Sequence, residues 1–409
     1  MNKKSRLGIY ALHPITYQTP IYRALFKIIE SKSYSYEFDV LFGDDLSLRE
    51  VYYEHLDKKV KFDNDLFLDE FPHKFMKNYS RDARKGFFSR INPSIFYRII
   101  KDRYDVILIH GYETFTAWIS LLAAKLLLRK VIFRGEAVLE GDPYKPGFTQ
   151  KLKRVILPLF FSCCDAVMYS CEGNKRYFKF FGVPGEKLFL LPCAVNNDFY
   201  IKQRILLDSK VQEHRTALGI DKDEFVVLFS ARFTERKNPY DLISAVAQSN
   251  NKKIIILFVG DGPERAGMEK AVKASHVKAI FTGFVGPVEL AKYYSVSNLD
   301  IVISSKDPSP KSLNEALIFS LPIIVTDVVG TANDLVFEDK NGFIVPVGNV
   351  GLISEKISYL ASNPQVCKRM GEVSFNIVQS WTIESGAEGI LEAMYFTLNK
   401  RRGESAERL

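Results

Sequence analysis

Cysteine is scarce. The chain carries five in 409 residues: Cys163, Cys164, Cys171, Cys193 and Cys367. None forms a C-x-x-C pair, which excludes a disulfide frame or a zinc-ribbon site and reads as reduced thiols of a cytosolic protein. Long apolar runs are also missing. The best candidates, Trp118–Leu128 and Val155–Tyr169, are short and broken by Lys125 and Asp165, so neither spans a bilayer. Leu7–Leu12 is too short for a signal-peptide core and runs straight into His13-Pro14. No repeat or low-complexity tract appears. The expectation is a cytoplasmic protein, at most peripheral at the inner face of the cell membrane. Metal-ligand spacing is lacking too: His13, His55, His73, His214 and His276 are scattered. Asp63-Asn64-Asp65 reads as a surface loop or a metal-binding Asp-x-Asp, and the expectation is no metal and no cofactor.

What is present fills two domains. Apolar residues make up 47%, enough for two sizeable cores at ~100–200 residues per domain. Net charge is +8 and uneven. Up to Ile205 the chain has 33 Lys+Arg against 23 Asp+Glu; the remainder has 23 against 25. A basic N-terminal half suits an anionic membrane face, a phosphorylated acceptor or nucleic acid, or serves solubility alone. No RNP-like or helix-turn-helix pattern supports nucleic acid, so none is expected as a partner.

Short apolar runs alternate with helical stretches throughout, the pattern of βαβ units and a parallel sheet. Leu7–Leu12, Glu37–Phe42, Asp105–His110, Val131–Arg134 and Ala166–Ser170 read as strands of one domain. A polar stretch, Lys202–Glu224, follows. The alternation restarts with Phe225–Ser230, Ile254–Val259, Ala279–Thr282, Ile301–Ser304 and Ile323–Thr326. The fold class is therefore α/β, with two Rossmann-like doubly wound domains. Residues 1–203 form the first and 204–382 the second, with the helical stretch 383–409 packing back on the first.

In open parallel sheets, ligands bind beyond the carboxyl ends of the strands. After Phe225–Ser230 comes ARFTERKNP, where Arg232 and Lys237 precede a helix. Two cations and a helix N-terminus suit a diphosphate, although a solvated basic turn has the same spacing. After Ile254–Val259 comes GDGPE. Its Gly260 and Gly262 fall short of a dinucleotide fingerprint and equally fit a tight turn. After Ile301–Ser304 comes SKDPSPKSLNEAL, in which Asp307 and Glu315 lie eight apart across the start of a helix. A carboxylate there can accept from the vicinal hydroxyls of a ribose, or can simply complement the helix dipole. His110 closes a buried strand ahead of Gly111 and reads as a site residue or a satisfied buried histidine. Arg134 and Glu136 follow the next strand, where they can bind an acceptor or each other. Lys151–Phe161, KLKRVILPLFF, reads as an acidic-membrane dock or as a packed helix with a basic face.

These loops, with Phe281-Thr282-Gly283-Phe284-Val285 between them and EAL…SLPIIVTD downstream, resemble the donor domain of glycosyltransferase family 4, retaining enzymes of GT-B fold. HPITYQTPIYRAL, KFDNDLF…KFMKN, LIHGYE and FRGEA are similar to the acceptor domain of its bacterial polysaccharide-assembly members. The resemblance covers nearly the whole chain. It implies two domains facing a central cleft and transfer of a sugar from a nucleotide-diphosphate sugar to a saccharide or lipid-linked acceptor. It implies that Arg232 and Lys237 bind the diphosphate, that Glu315 holds the ribose, and that Asp307 with the stretch Ser309, Lys311, Ser312 and Leu313 meets donor sugar and phosphate. Thr282, Gly283 and Phe284 would frame the base beside the Gly260–Gly262 turn. His110, Tyr17 and Gln18 would lie near the reacting groups, with Arg134 and Glu136 on the acceptor side. The family's usual first Glu is here Asp307, and its glycine-rich first loop is replaced by Pro14–Thr19. A nucleotide-sugar epimerase, a phosphorylase or a non-catalytic nucleotide-sugar-binding subunit are the alternatives on this fold. A phosphorylase would need a pyridoxal lysine and a longer chain.

Overall fold

The computed structural model describes residues 4–48, 51–53, 58–60, 67–83, 86–139 and 147–399. Asp63-Asn64-Asp65 and the basic tail beyond Asn399 lie outside them. The chain divides into two compact units, one comprising Met1–Cys193 and Ile383–Leu409 and the other Ala194–Thr382.

The first unit is built on a seven-stranded sheet. In spatial order its strands are His73–Phe75, Tyr36–Phe42, Ser5–Ala11, Val106–His110, Lys130–Arg134, Ala166–Tyr169 and Leu188–Leu190. Every pairing is parallel. Such strands need apolar side chains on both faces because helices cover both, and period-2 alternation sorts them. Ile9, Leu108 and Ile132 pack with Ile21 and Leu25 of the helix Thr19–Ser31 and Ile390 of the helix Ile383–Asn399. Their neighbours Tyr10, Ile107, Ile109 and Phe133 pack on the opposite face with Ile99, Leu121 and Phe160. Those three come from the helices Ser94–Lys101, Phe115–Leu126 and Phe148–Ser162. Gly389 lets the last helix approach the sheet edge, since a Cβ there would come 2.0 Å from the Leu190 carbonyl oxygen.

The second unit has a six-stranded sheet, all parallel. Its order is Lys278–Phe281, Ile254–Val259, Phe225–Ser230, Leu299–Val302, Ile323–Thr326 and Gly342–Val345. The polar stretch Lys202–Glu224 is not a simple linker. The helices Asn197–Leu207 and Val211–Ala217 occupy much of it. The first is tied into the second unit by Tyr200, whose hydroxyl donates to Glu315 at 2.8 Å, and by Arg204, which donates to the Ile318 carbonyl at 3.0 Å. The division accordingly falls between Cys193 and Ala194, ten residues before the boundary expected from composition.

Both sheets reverse winding direction once, between Ser5–Ala11 and Val106–His110 in the first and between Phe225–Ser230 and Leu299–Val302 in the second. The loops leaving those four strands are where a doubly wound sheet places a ligand.

Candidate active site

In the second unit, two loops meet at the switch point. The loop after Phe225–Ser230 ends in a short turn, Glu235–Lys237, and Asn238 takes the left-handed conformation at φ 51° before the helix Pro239–Ser249. That geometry aims the turn at the loop after Leu299–Val302. The Asn238 amide donates to the Ile303 carbonyl at 3.0 Å, the Ser305 N–H to the Arg236 carbonyl at 2.9 Å, and the Arg236 guanidinium to the Lys306 carbonyl at 3.1 Å. Lys237 Nζ is paired with Asp307 Oδ2, and both side chains are largely buried. Asp307 Oδ1 accepts from the Ser309 N–H at 3.3 Å. Arg232, by contrast, is exposed and makes no ion pair with a described residue.

The helix Lys311–Ile318 starts directly after this pair. Its N-cap is Pro310, which offers no side-chain acceptor to the first-turn amides. Leu313 is fully buried. Glu315 points back among aromatic side chains: Oε1 accepts from Tyr200 Oη at 2.8 Å and Oε2 from Tyr294 Oη at 2.9 Å. Burial pushes the Glu315 carboxyl above its ordinary range, and the two tyrosine hydroxyls and Lys311 pull it back. Beneath it lies Asp300, fully buried, with neither carboxylate oxygen hydrogen-bonded to a described residue. Burial and the Glu315 charge hold the Asp300 carboxyl well above its ordinary value.

The glycines have a packing reason. A Cβ on Gly260 would come 2.0 Å from the Ala231 carbonyl oxygen, and one on Gly262 2.2 Å from that of Phe233. The backbone of this turn presses on the Arg232 loop, with the Phe233 N–H donating to the Asp261 carbonyl at 2.9 Å. The Gly260 N–H donates to Gly283 at 3.0 Å, and Thr282 donates to the Phe258 carbonyl through its N–H at 3.1 Å. The loops bearing Arg232, Gly260 and Thr282 therefore form one stitched rim, with Phe284 exposed at its end.

In the first unit, four of the expected residues cluster. Arg134 is buried and donates to Glu136 Oε1 at 2.6 Å and to His110 Nδ1 at 3.4 Å. A guanidinium has no acceptor, so Nδ1 is the bare nitrogen and Nε2–H faces the Tyr22 hydroxyl at 3.2 Å. Burial, then the Arg134 charge, keep this imidazole neutral far below its ordinary pKa. Burial and the Glu136 charge push the Tyr17 phenol up to about 12. Gln18 is buried ahead of the helix Thr19–Ser31. Tyr200, Tyr294, Asp300 and Tyr22 were not singled out from the sequence. Tyr22, Tyr294 and Asp300 sit on apolar-patterned elements where nothing separates them from core, and Tyr200 lies just ahead of the polar stretch. Among the described residues, no group of three or more His, Cys, Asp or Glu could hold a metal ion.

Two Rossmann-like units in tandem, each with its loops at the switch point, constitute the GT-B fold. The crystal structure of Anabaena Alr3699/HepE in complex with UDP is similar at TM-score 0.72 and 17% identity, over 96% of this chain and 99% of that one. A glycosyltransferase from Rickettsia africae ESF-5 gives TM-score 0.72 at 16% identity, over 99% and 100%. Residues 210–376 match the family model described as glycosyl transferases group 1. The alpha-monoglucosyldiacylglycerol synthase of Acholeplasma laidlawii is 31% identical over 275 residues, 65% of this chain and 61% of the synthase. The alpha-galactosylglucosyldiacylglycerol synthase of Streptococcus pneumoniae is 25% identical over 257 residues, 61% of this chain and 65% of that protein. The chain thus spans somewhat less than two thirds of the length of either relative.

Proposed function

We propose that this protein is a retaining glycosyltransferase that takes a sugar from a nucleotide-diphosphate sugar and places it on a saccharide or lipid-linked acceptor. The observation that carries the reading is the convergence of Lys237 and Asp307 directly ahead of the first turn of Lys311–Ile318, inside the residues that match the group 1 glycosyltransferase model. Breaking the bond from sugar to diphosphate puts negative charge on the leaving phosphate and positive charge on the sugar. Fixed cations and helix amides stabilise the first, and Lys237, with Arg232 arriving from the rim, supplies them without a metal. The Lys237–Asp307 pair gives the ammonium a counter-ion before the donor enters. Each oxygen of Glu315 keeps a second lone-pair site beside its tyrosine and can accept one ribose hydroxyl. Tyr17, Gln18, Arg134 and Glu136 form the acceptor side, with His110 holding Arg134 in place. A lipid-linked acceptor accords with two relatives that are named diacylglycerol glycoside synthases.

The test is a panel of nucleotide sugars screened by thermal shift, since a bound ligand raises apparent stability by mass action. Product is then assayed with and without acceptor, in the presence and absence of chelator. Acceptor-dependent transfer with retained anomeric configuration and no loss in chelator is expected. Product with inverted configuration would remove the retaining assignment. Interconversion of the donor sugar without any acceptor would make the protein an epimerase.

A further inference from the structure

Three helices lie side by side on one face of the first unit's sheet. Ser94–Lys101 packs on Phe115–Leu126, and Trp118 of the latter meets Phe160 of Phe148–Ser162 edge-on at 4.7 Å. Inward, all three feed the same core through Ile99, Leu121 and Leu157. Outward they do something a folded surface usually avoids: they expose large aliphatic side chains. Leu126 is 67% exposed, Leu159 64% and Val155 63%, and Ile100, Leu122 and Leu152 are exposed with them. Leu152, Val155 and Leu159 lie three and four residues apart, so they form one stripe along a single helix face. An exposed apolar patch of this breadth marks an interaction surface.

Its charge names the partner. None of the three helices contains an Asp or a Glu. Lys101 and Lys151 are exposed beside the aliphatic residues. Of the acidic residues flanking these helices, Asp165 pairs with Lys125 and Lys130 and Asp102 with Lys74, which leaves Glu113, at the opposite end of Phe115–Leu126 from Leu122 and Leu126, as an exposed acid. A protein interface of this size would be depleted of lysine, and a nucleic acid has no use for leucines. Aliphatic side chains interleaved with long lysines that reach outward are the composition of a surface lying in the headgroup region of an anionic bilayer. We propose that the outer face of these three helices docks this protein on an anionic lipid membrane. This extends the reading of a lipid-linked acceptor, and it is measured without any donor or acceptor.

The experiment is co-sedimentation of the full chain with vesicles of phosphatidylcholine alone or mixed with phosphatidylglycerol. The bound fraction is expected to rise steeply with phosphatidylglycerol and to fall about tenfold as salt screens the lysines. Val155→Glu with Leu159→Glu is expected to abolish binding, and Lys101→Glu with Lys151→Glu to reduce it at least tenfold. Unchanged melting temperatures and UDP-induced thermal shifts check that fold and donor site are intact. Binding that ignores lipid charge, or that survives both double variants, overturns the proposal. So does a doubled solution mass that Leu159→Glu returns to monomer, because the face would then belong to a second copy. Loss of vesicle binding with normal transfer to a soluble acceptor isolates this surface. Normal vesicle binding with no transfer to any acceptor would instead sink the enzymatic reading alone.

Discussion

Lys237 and Asp307 form a largely buried ion pair that joins the loops on either side of the second unit's switch point. Removing one partner of such a pair leaves an uncompensated charge, which costs ~3–5 kcal/mol when fully buried and somewhat less here, where each side chain keeps some exposure. Lys237→Ala should therefore lower stability and also remove transfer by ~10²–10³. The double variant Lys237→Ala with Asp307→Asn should recover much of the stability and none of the activity. Thermal melts beside initial rates check this. Recovery of both together would mean that Lys237 serves only the fold.

Tyr294 and Tyr200 each give a hydrogen bond to Glu315. Tyr294→Phe loses one bond to a charged group, worth ~1.5–3 kcal/mol in stability, and frees the carboxylate to swing. Affinity for the nucleoside diphosphate of its donor should weaken by about tenfold, equivalent to ~1.4 kcal/mol. The preference for that nucleotide over its 2′-deoxy form should shrink with it. Calorimetric titration of both nucleotides reads this out, and an unchanged preference would detach Glu315 from ribose recognition.

Asp300 sets a pH dependence. Its folded carboxyl titrates well above the ordinary value, while the unfolded one ionises near ~3.9. Above that pH the unfolded chain has released a proton that the folded chain keeps. This residue's share of stability therefore falls as pH rises, by ~1.4 kcal/mol per unit until the folded group ionises. Asp300→Asn should flatten the curve of melting temperature against pH above about 4, where the unfolded carboxyl has ionised and the folded one has not. Parallel curves would show that Asp300 is solvated in the folded state.

Gly262 is required by close backbone packing. Its added Cβ would sit 2.2 Å from the Phe233 carbonyl oxygen, so Gly262→Ala must push two loops apart. A cost of ~1–3 kcal/mol is expected, or roughly 2–4 °C of melting temperature per kcal/mol in a unit of this size. Gly286→Ala, with open space around its Cβ position, is the control and should melt near the parent.

The sheets and their order of loops were readable because a buried parallel strand is a short apolar run, and Val106–His110 or Ile254–Val259 can be little else. The edge strands His73–Phe75 and Leu188–Leu190 were not seen, since three residues with mixed burial carry no period. Lys237 and Asp307 could be placed after their strands, but their mutual pairing could not, because nothing in sequence fixes contacts seventy residues apart. The GDGP turn shows the ambiguity from the other side. Its glycines fitted a tight turn as well as a close approach to a ligand, and the loops account for them by backbone packing. Asp300 was hidden most fully, as a lone acid inside an apolar strand whose neighbours gave no hint of its burial beside Glu315.

The final helix Ile383–Asn399 lies against strands from the very beginning of the chain, with Ala387, Ile390 and Met394 in the same core as Leu7 and Ile9. The ribosome therefore delivers this core in two instalments separated by an entire second domain. Until the closing helix emerges, the earlier-made half presents an unfilled apolar slot. The domain begun first is therefore finished last, so a stall or truncation ahead of residue 383 would damage the unit whose strands were already made.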